Sequence, residues 1–151
     1  MGMIEEIEAL RSVPLFASLD DSKLKLLSFT SEWIEYQSGD TLFTEGDNGE
    51  EAFVIMEGEV DIFVQTKTGP VLVTTRGVGE IVGETAIVCD VPRTATVKAT
   101  RKLVTLKITK EVFMQLVEGY PDVAVAIIRE LAMRVNDGVR IALRNSDRST
   151  E

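Results

Sequence analysis

The spacing of apolar residues changes twice along this chain. Near the start Ile4, Ile7 and Leu10 recur at helical spacing. Leu24, Leu26, Leu27 and Phe29 mark a second helix that Asp20 or Asp21 can cap. Pro14 falls between the two and separates them. Residues 1–34 are thus predicted as N-terminal helices. From 35 to 109 the apolar runs become short, at 52–56, 60–64 and 71–75, and glycines punctuate them. Gly39, Gly46, Gly49, Gly58, Gly69, Gly77, Gly79 and Gly83 are eight of the chain's 11 glycines. Residues 67–70 read as a hairpin tip. Ala95, Val97 and Ala99 alternate with Thr96, Lys98 and Thr100, and Val104, Leu106 and Ile108 alternate with Leu103, Thr105 and Lys107. Both are half-buried strand patterns.

Helical spacing returns over 110–144. Thr109 can cap a short helix through Leu116, and Pro121 suits the first turn of the last helix, where its missing N–H costs nothing. Ile127, Leu131, Val135 and Val139 form one apolar stripe, available either to the chain's own β structure or to a second copy. The polar tail, 145–151, is expected to fray. The pattern predicts a mainly β fold with flanking helices, a β-roll or jelly-roll with helices at one side. No internal repeat interrupts it, so the 151 residues are expected to form one domain.

Composition narrows the chemistry. The chain is 44% hydrophobic and 27% charged, which suits a globular domain with a real core. Its net charge of −9 argues against nonspecific nucleic-acid binding but leaves room for one local anion site. There is no histidine, so zinc or non-haem iron catalysis and a neutral-pH imidazole base are poor candidates, and no metal site or enzyme activity is expected. The single cysteine, Cys89, is expected to be a small buried filler. No stretch approaches a membrane span of roughly 20 apolar residues. Glu5, Glu6 and Glu8 do not suit a signal peptide, so a cytoplasmic location is expected.

The informative stretch runs from 79 to 97. Gly83, Glu84, Thr85 and Ala86 form a tight turn into a short helix, whose first N–H groups can face an anion. Glu84 adds negative charge there, which makes sense if its carboxylate accepts from a sugar hydroxyl beside the anion. Arg93 follows Pro92 and offers a planar fork of donors that matches phosphate oxygens. Pro92 cannot continue a helix, so Arg93 is expected to begin a strand. Thr94 adds a hydroxyl and a backbone N–H. Each piece alone has a plainer reading: Arg93 paired with Asp90 on the surface, Glu84 favouring a helix N-terminus, the glycines forming turns.

Together these residues resemble the cyclic nucleotide-binding domain family, of the catabolite-activator and protein kinase A regulatory-subunit type. The family's phosphate-binding cassette is matched by Val82-Gly83-Glu84-Thr85-Ala86 and then Pro92-Arg93-Thr94-Ala95. Gly39-Asp40, Glu45-Gly46-Asp47 and the run from Ile55 through Gly58 to Val60 match earlier markers. The resemblance covers about residues 10–140. It implies an eight-stranded β-roll with N-terminal helices, a short cassette helix (cassette 82–95) and C-terminal helices. It also implies a cyclic AMP or cyclic GMP ligand, with Glu84 on the ribose 2′-hydroxyl, Arg93 on the cyclic phosphate, and backbone N–H groups of Ala86 and Thr94 completing the cradle. Ile62, Val73, Thr74 and Ile81 occupy the places of the base pocket. Two departures, Val82 for an aromatic and Thr85 for Leu or Met, fall at packing positions.

In the family two adjacent polar residues of the last helix reach the base. Gly138 and Val139 stand there, and the neighbouring Asn136 and Asp137 are the nearby substitutes. Thr94 is compatible with a syn guanine, whose 2-amino group its hydroxyl can meet, and occurs also in domains that prefer cyclic AMP. The bacterial relatives mostly use cyclic AMP, which tips the expectation that way. A DNA-binding domain would have to follow Arg144, where seven polar residues stand, so direct DNA binding is not expected. The chain reads as a stand-alone sensor that relays nucleotide level to a downstream protein. The alternatives are an excised regulatory module of a larger channel, kinase or transcription regulator, or an interaction module that has lost its ligand.

Overall fold

The computed structural model describes residues 2–149, with side chains described through Val135. Helix α1 (Met3–Arg11) leads through a 3₁₀ turn at Pro14–Phe16 into α2 (Asp21–Thr30). Asp20 caps α2 by accepting from the Lys23 N–H at 3.0 Å. Strand β1 (Glu32–Tyr36) begins inside the stretch predicted as helical, because Trp33, Ile34 and Tyr36 are aromatic and β-branched residues that favour strands. Then come β2 (Thr41–Phe43), β3 (Glu51–Glu57), β4 (Val60–Thr66), β5 (Gly69–Arg76) and β6 (Ile81–Val82). Helix α3 (Glu84–Val88), β7 (Thr96–Ala99), β8 (Leu103–Thr109), α4 (Lys110–Gly119) and α5 (Pro121–Ser149) complete the order.

Among the described residues eight strands form two four-stranded antiparallel sheets, ordered β1-β8-β3-β6 and β2-β7-β4-β5. The fold is the mainly β roll with flanking helices expected from the pattern. The β4–β5 hairpin turns on two residues, since Thr66 pairs with Gly69, and Pro70 is tolerated because β5 is an edge strand.

Two apolar clusters explain why β3 is a continuous apolar run. Ala52 and Val54 face α1, α2, α4 and α5 with Leu10, Phe16, Leu24, Phe113 and Ile127. Phe53 and Ile55 face the opposite sheet with Val60, Val82 and Val97. Central strand β8 is likewise covered on both sides. Leu103 and Thr105 are therefore as buried as Leu106 and Ile108, and Val104 is only partly covered, against the half-buried expectation. Thr109 caps α4, accepting from the Val112 N–H. Helix α5 continues to Ser149, beyond the expected end at 144, since no Pro or Gly follows Gly138 to stop it. Its predicted stripe divides: Ile127 is in the core, Leu131 packs partly against it, and Val135 is exposed. Val139 lies outside the described side chains. Cys89, expected inside, is exposed as the residue capping the C-terminus of α3.

Gly58 joins β3 to β4 at φ +91°, and a Cβ there would lie 2.3 Å from the Lys102 carbonyl oxygen. Left-handed strain alone costs about 1–3 kcal/mol, and the clash is with backbone that cannot step aside. Gly58→Ala is expected to lower the urea unfolding midpoint by at least that equivalent. An unchanged midpoint would contradict the close approach of the hairpin to residues 102–103.

Candidate functional site

Strand β6 ends at Gly83, whose φ of +87° swings the chain into α3. Glu84, first in that helix, is carried back into the roll and is 1% exposed. After α3 the chain passes Asp90 at φ +54° and returns to the roll at Arg93. Arg93 does not begin a strand, since β7 starts at Thr96. Its direction comes from the loop before β3: the Arg93 N–H donates to the Asp47 carbonyl at 2.8 Å, and the Gly46 N–H donates to the Arg93 carbonyl at 2.9 Å. Asp90 is not its partner. It is exposed and lies 3.7 Å from Lys110.

The Arg93 side chain is 3% exposed and held on four sides. Its Nη1 donates to the Gly83 carbonyl at 2.9 Å and its Nη2 to the Glu51 carbonyl at 2.8 Å. The Glu51 carboxylate is 3.7 Å away. The guanidinium lies 4.0 Å from the centre of the Phe43 ring, a cation–π contact worth about 2 kcal/mol where water is excluded. Two glycines make the room. A Cβ on Gly83 would sit 2.6 Å from Nη1, and one on Gly49 would sit 2.9 Å from Nε and 2.6 Å from the Ala86 Cβ. Burial pulls the Arg93 pKa down from its usual value, and Glu51, Glu84 and Asp47 oppose that pull.

Glu84 and Arg93 border one cavity of about 240 Å³. Gly83, Thr85, Ala86, Thr94, Ile62, Val73 and Thr74 also line it, so these predicted residues converge. Ile81 does not. Successive strand residues point to opposite faces, so Ile81 packs into the helix-side core while Val82 lines the cavity. Ile81 contributes its carbonyl oxygen, which accepts from Arg134. Asn136 lies outside the described side chains.

Sequence reasoning missed three side chains here. Arg134, on α5, donates from Nη1 to Glu84 Oε1 and lies 3.0 Å from Glu130. Its signal was a cation three residues after Leu131 and seven after Ile127, on the packed face of an amphipathic helix. Arg76 lines the cavity from β5, and Phe43 lies under Arg93. Four of the residues that line the cavity have a buried side-chain atom without a partner among the described residues: Glu84 Oε2 and the Nε atoms of Arg76, Arg93 and Arg134. The first is an acceptor and the others are charged donors, and groups of that kind are costly to leave unmet.

Burial pushes the Glu84 carboxyl above its usual range, and Arg134 pulls it down without cancelling the shift. A carboxyl with a raised folded-state pKa favours folding most below its unfolded value, near 4.5, and loses that contribution as pH rises through the folded pKa. Wild type minus Glu84→Gln stability is therefore expected to be larger at pH 5 than at pH 7 in urea titrations. A difference that is flat or reversed would refute the desolvated carboxyl.

Residues 33–120, more than half the chain, match the model of the cyclic nucleotide-binding domain. A cAMP-dependent protein kinase regulatory subunit from Eremothecium gossypii is 34% identical over 87% of this chain and 26% of its own length. Among solved structures, the catabolite activator protein of Thermus thermophilus superimposes with a TM-score of 0.75 at 25% identity, over 86% of this chain and 62% of that one. The regulatory subunit of a cAMP-independent protein kinase A from Trypanosoma cruzi, bound to guanosine, does so at 0.74 and 26% identity, over 84% of this chain and 45% of that one. The chain spans 7–26% of the length of the first curated relatives it matches, which include fungal lysophospholipases. No helix of the described residues is long and apolar enough to cross a membrane. By the match of its family model to more than half the chain, by its likeness to the Eremothecium gossypii regulatory subunit and by its mainly β fold, this chain belongs to the cyclic nucleotide-binding domain family.

Proposed function

We propose that this chain is a cytoplasmic sensor that binds cyclic AMP or cyclic GMP and relays binding through α5 to a partner protein, without catalysis of its own. The observation that carries the reading is the cassette's own share of those unmet buried atoms. Glu84 Oε2 and Arg93 Nε belong to opposite charges bordering one cavity. A cyclic nucleotide supplies an anionic phosphate oxygen for the guanidinium and a ribose 2′-hydroxyl for the carboxylate. The N–H groups of Ala86 and Thr94 complete the phosphate cradle. Ile62, Val73 and Thr74 form the base wall, with Val82 in the place first given to Ile81. The whole chain acts as one sensing unit built around cassette 82–95.

The relay follows from Arg134. It ties α5 to the cassette through Glu84 and the Ile81 carbonyl. A nucleotide hydroxyl on Glu84 changes the surroundings of that cation and the position of α5 that suits it best. Ligand moves such an equilibrium only by its differential affinity for the two states, about 1.4 kcal/mol per tenfold shift.

Arg93→Ala removes charge-assisted hydrogen bonds worth roughly 1.5–3 kcal/mol. Affinity for both cyclic nucleotides is expected to fall about ten- to hundredfold by calorimetry, with circular dichroism confirming the fold. Equal binding by the variant would remove the phosphate role. Absence of binding by the wild type would leave the interaction-module alternative.

A homodimer through α5 is a second reading, favoured by exposure. Val125, Ile128, Ala132 and Val135 are exposed at heptad spacing, and the sequence continues the pattern at Val139 and Ala142. The seam lies beside the stripe first predicted, whose first half serves the core. Sedimentation is expected to show a dimer that Ile128→Asp with Val135→Asp dissociates. A wild type that is monomeric at high micromolar concentration, with and without nucleotide, would rule the dimer out.

A further inference from the structure

A cation faces inward from β5. Thr74 pairs with Ile62 across the β4–β5 ladder and Arg76 with Val60, and Val60 is wholly buried in the cluster between the sheets. Two residues after Thr74, Arg76 shares its face of the strand. Both line the cavity, with Ile62 and Val73 as apolar neighbours. The Arg76 side chain is only 17% exposed. Its Nε is buried, and the nearest opposite charge, Glu80, stands 3.7 Å away, beyond hydrogen-bond reach. Among the described residues Arg76 makes no hydrogen bond to the cassette or to Glu84, which Arg134 holds, although its charge helps to pull the Glu84 pKa down.

We propose that Arg76 selects the base, and that it favours a 6-oxopurine, so that the preferred ligand is cyclic GMP. This rests on the cyclic-nucleotide reading above and names the specificity of the same site. A guanidinium is a donor only. Guanine offers two acceptors side by side, O6 and N7, which match the fork. Adenine offers N7 beside its N6 amino group, which is itself a donor. Glu84 lines the cavity but is spoken for by the ribose and by Arg134. Thr74 is left as the one hydroxyl beside Arg76 able to accept from that amino group. Adenine therefore sets donor against donor at Arg76, while guanine satisfies it. Thr94, at the phosphate end, reads a different part of the ring, the 2-amino group, so the two contributions are separable.

The test uses the whole chain, titrated calorimetrically with cyclic AMP, cyclic GMP and cyclic IMP. Hypoxanthine keeps O6 and N7 but lacks the 2-amino group. Wild type is expected to bind both cyclic GMP and cyclic IMP about ten- to hundredfold more tightly than cyclic AMP. Arg76→Leu should abolish that preference by weakening the two 6-oxopurines and sparing cyclic AMP. Arg76→Gln should tilt it toward cyclic AMP, because an amide pairs with adenine N6 and N7. Retained cyclic AMP binding in both variants shows that the site has folded. The proposal is overturned if wild type prefers cyclic AMP, if cyclic IMP binds like cyclic AMP while cyclic GMP stays tight, or if Arg76→Leu weakens all three equally. Each of those outcomes leaves the sensor reading intact. Loss of binding by wild type to all three removes both.

Discussion

Arg93 has its guanidinium almost wholly out of water, and a charge so placed must be met on every side. The surrounding architecture can be understood as the means of meeting it. The carbonyls of Gly83 and Glu51 take two donors, the Glu51 carboxylate stands near, and the Phe43 ring covers a face. Each contact comes from a different part of the chain: the turn after β6, the start of β3, and the end of β2. The same side chain thus holds the cassette against the roll and borders the cavity. Gly49 and Gly83 are needed at their positions because any Cβ would collide with that guanidinium.

The helices have a related role. Because β3 and β8 are covered on both faces, the inner sheet cannot shift without disturbing two cores at once. That rigidity supports the Glu51 carbonyl, at the start of β3, and β6, which pairs with β3 through Val54–Ile81 and Phe53–Val82. Cassette helix α3 is only five residues long and would not persist alone. It is held because Ala86 and Ile87 are buried and because its flanks, Gly83 and Arg93, are tied to the sheets.

Local features of this fold were legible in the sequence, and long-range ones were not. Glycine spacing marked the β segment, Asp20, Thr109 and Pro121 marked helix starts, and the cassette residues drew attention to Glu84 and Arg93 together. Ile81 was misplaced because a two-residue strand has no periodicity of its own to say which side faces in, and β6 takes its parity from β3. Leu103 and Thr105 were misread because an alternating pattern does not reveal that helices cover the second face of β8. Phe43 and Arg134 stand 50 and 41 residues from Arg93, so only the closed roll brings them to one place. Arg134 nonetheless left a trace, as a cation on the side of α5 that Ile127 and Leu131 turn inward.

In the proposed sensor, the placement of charge in the cavity is what would make α5 the reporter. Arg93 and Glu84 both belong to the cassette region, but Glu84 Oε1 is held from outside it, by a residue of the last helix. Below its raised pKa the carboxyl is neutral and grips Arg134 weakly; ionised, it holds that cation in surroundings where neither charge is well hydrated. In the proposed complex a ligand hydroxyl on the other oxygen would stabilise the ionised form and so strengthen the tie, while ligand bulk beside Arg134 would strain it. The two effects would oppose each other, and on the proposed reading their balance would set whether α5 is drawn onto the cavity or released from it. The side chains of α5 decide the outcome as much as the cassette does, since Ile127 and Leu131 anchor its first turns to the core and Ile128 and Val135 are exposed to any surface that receives them.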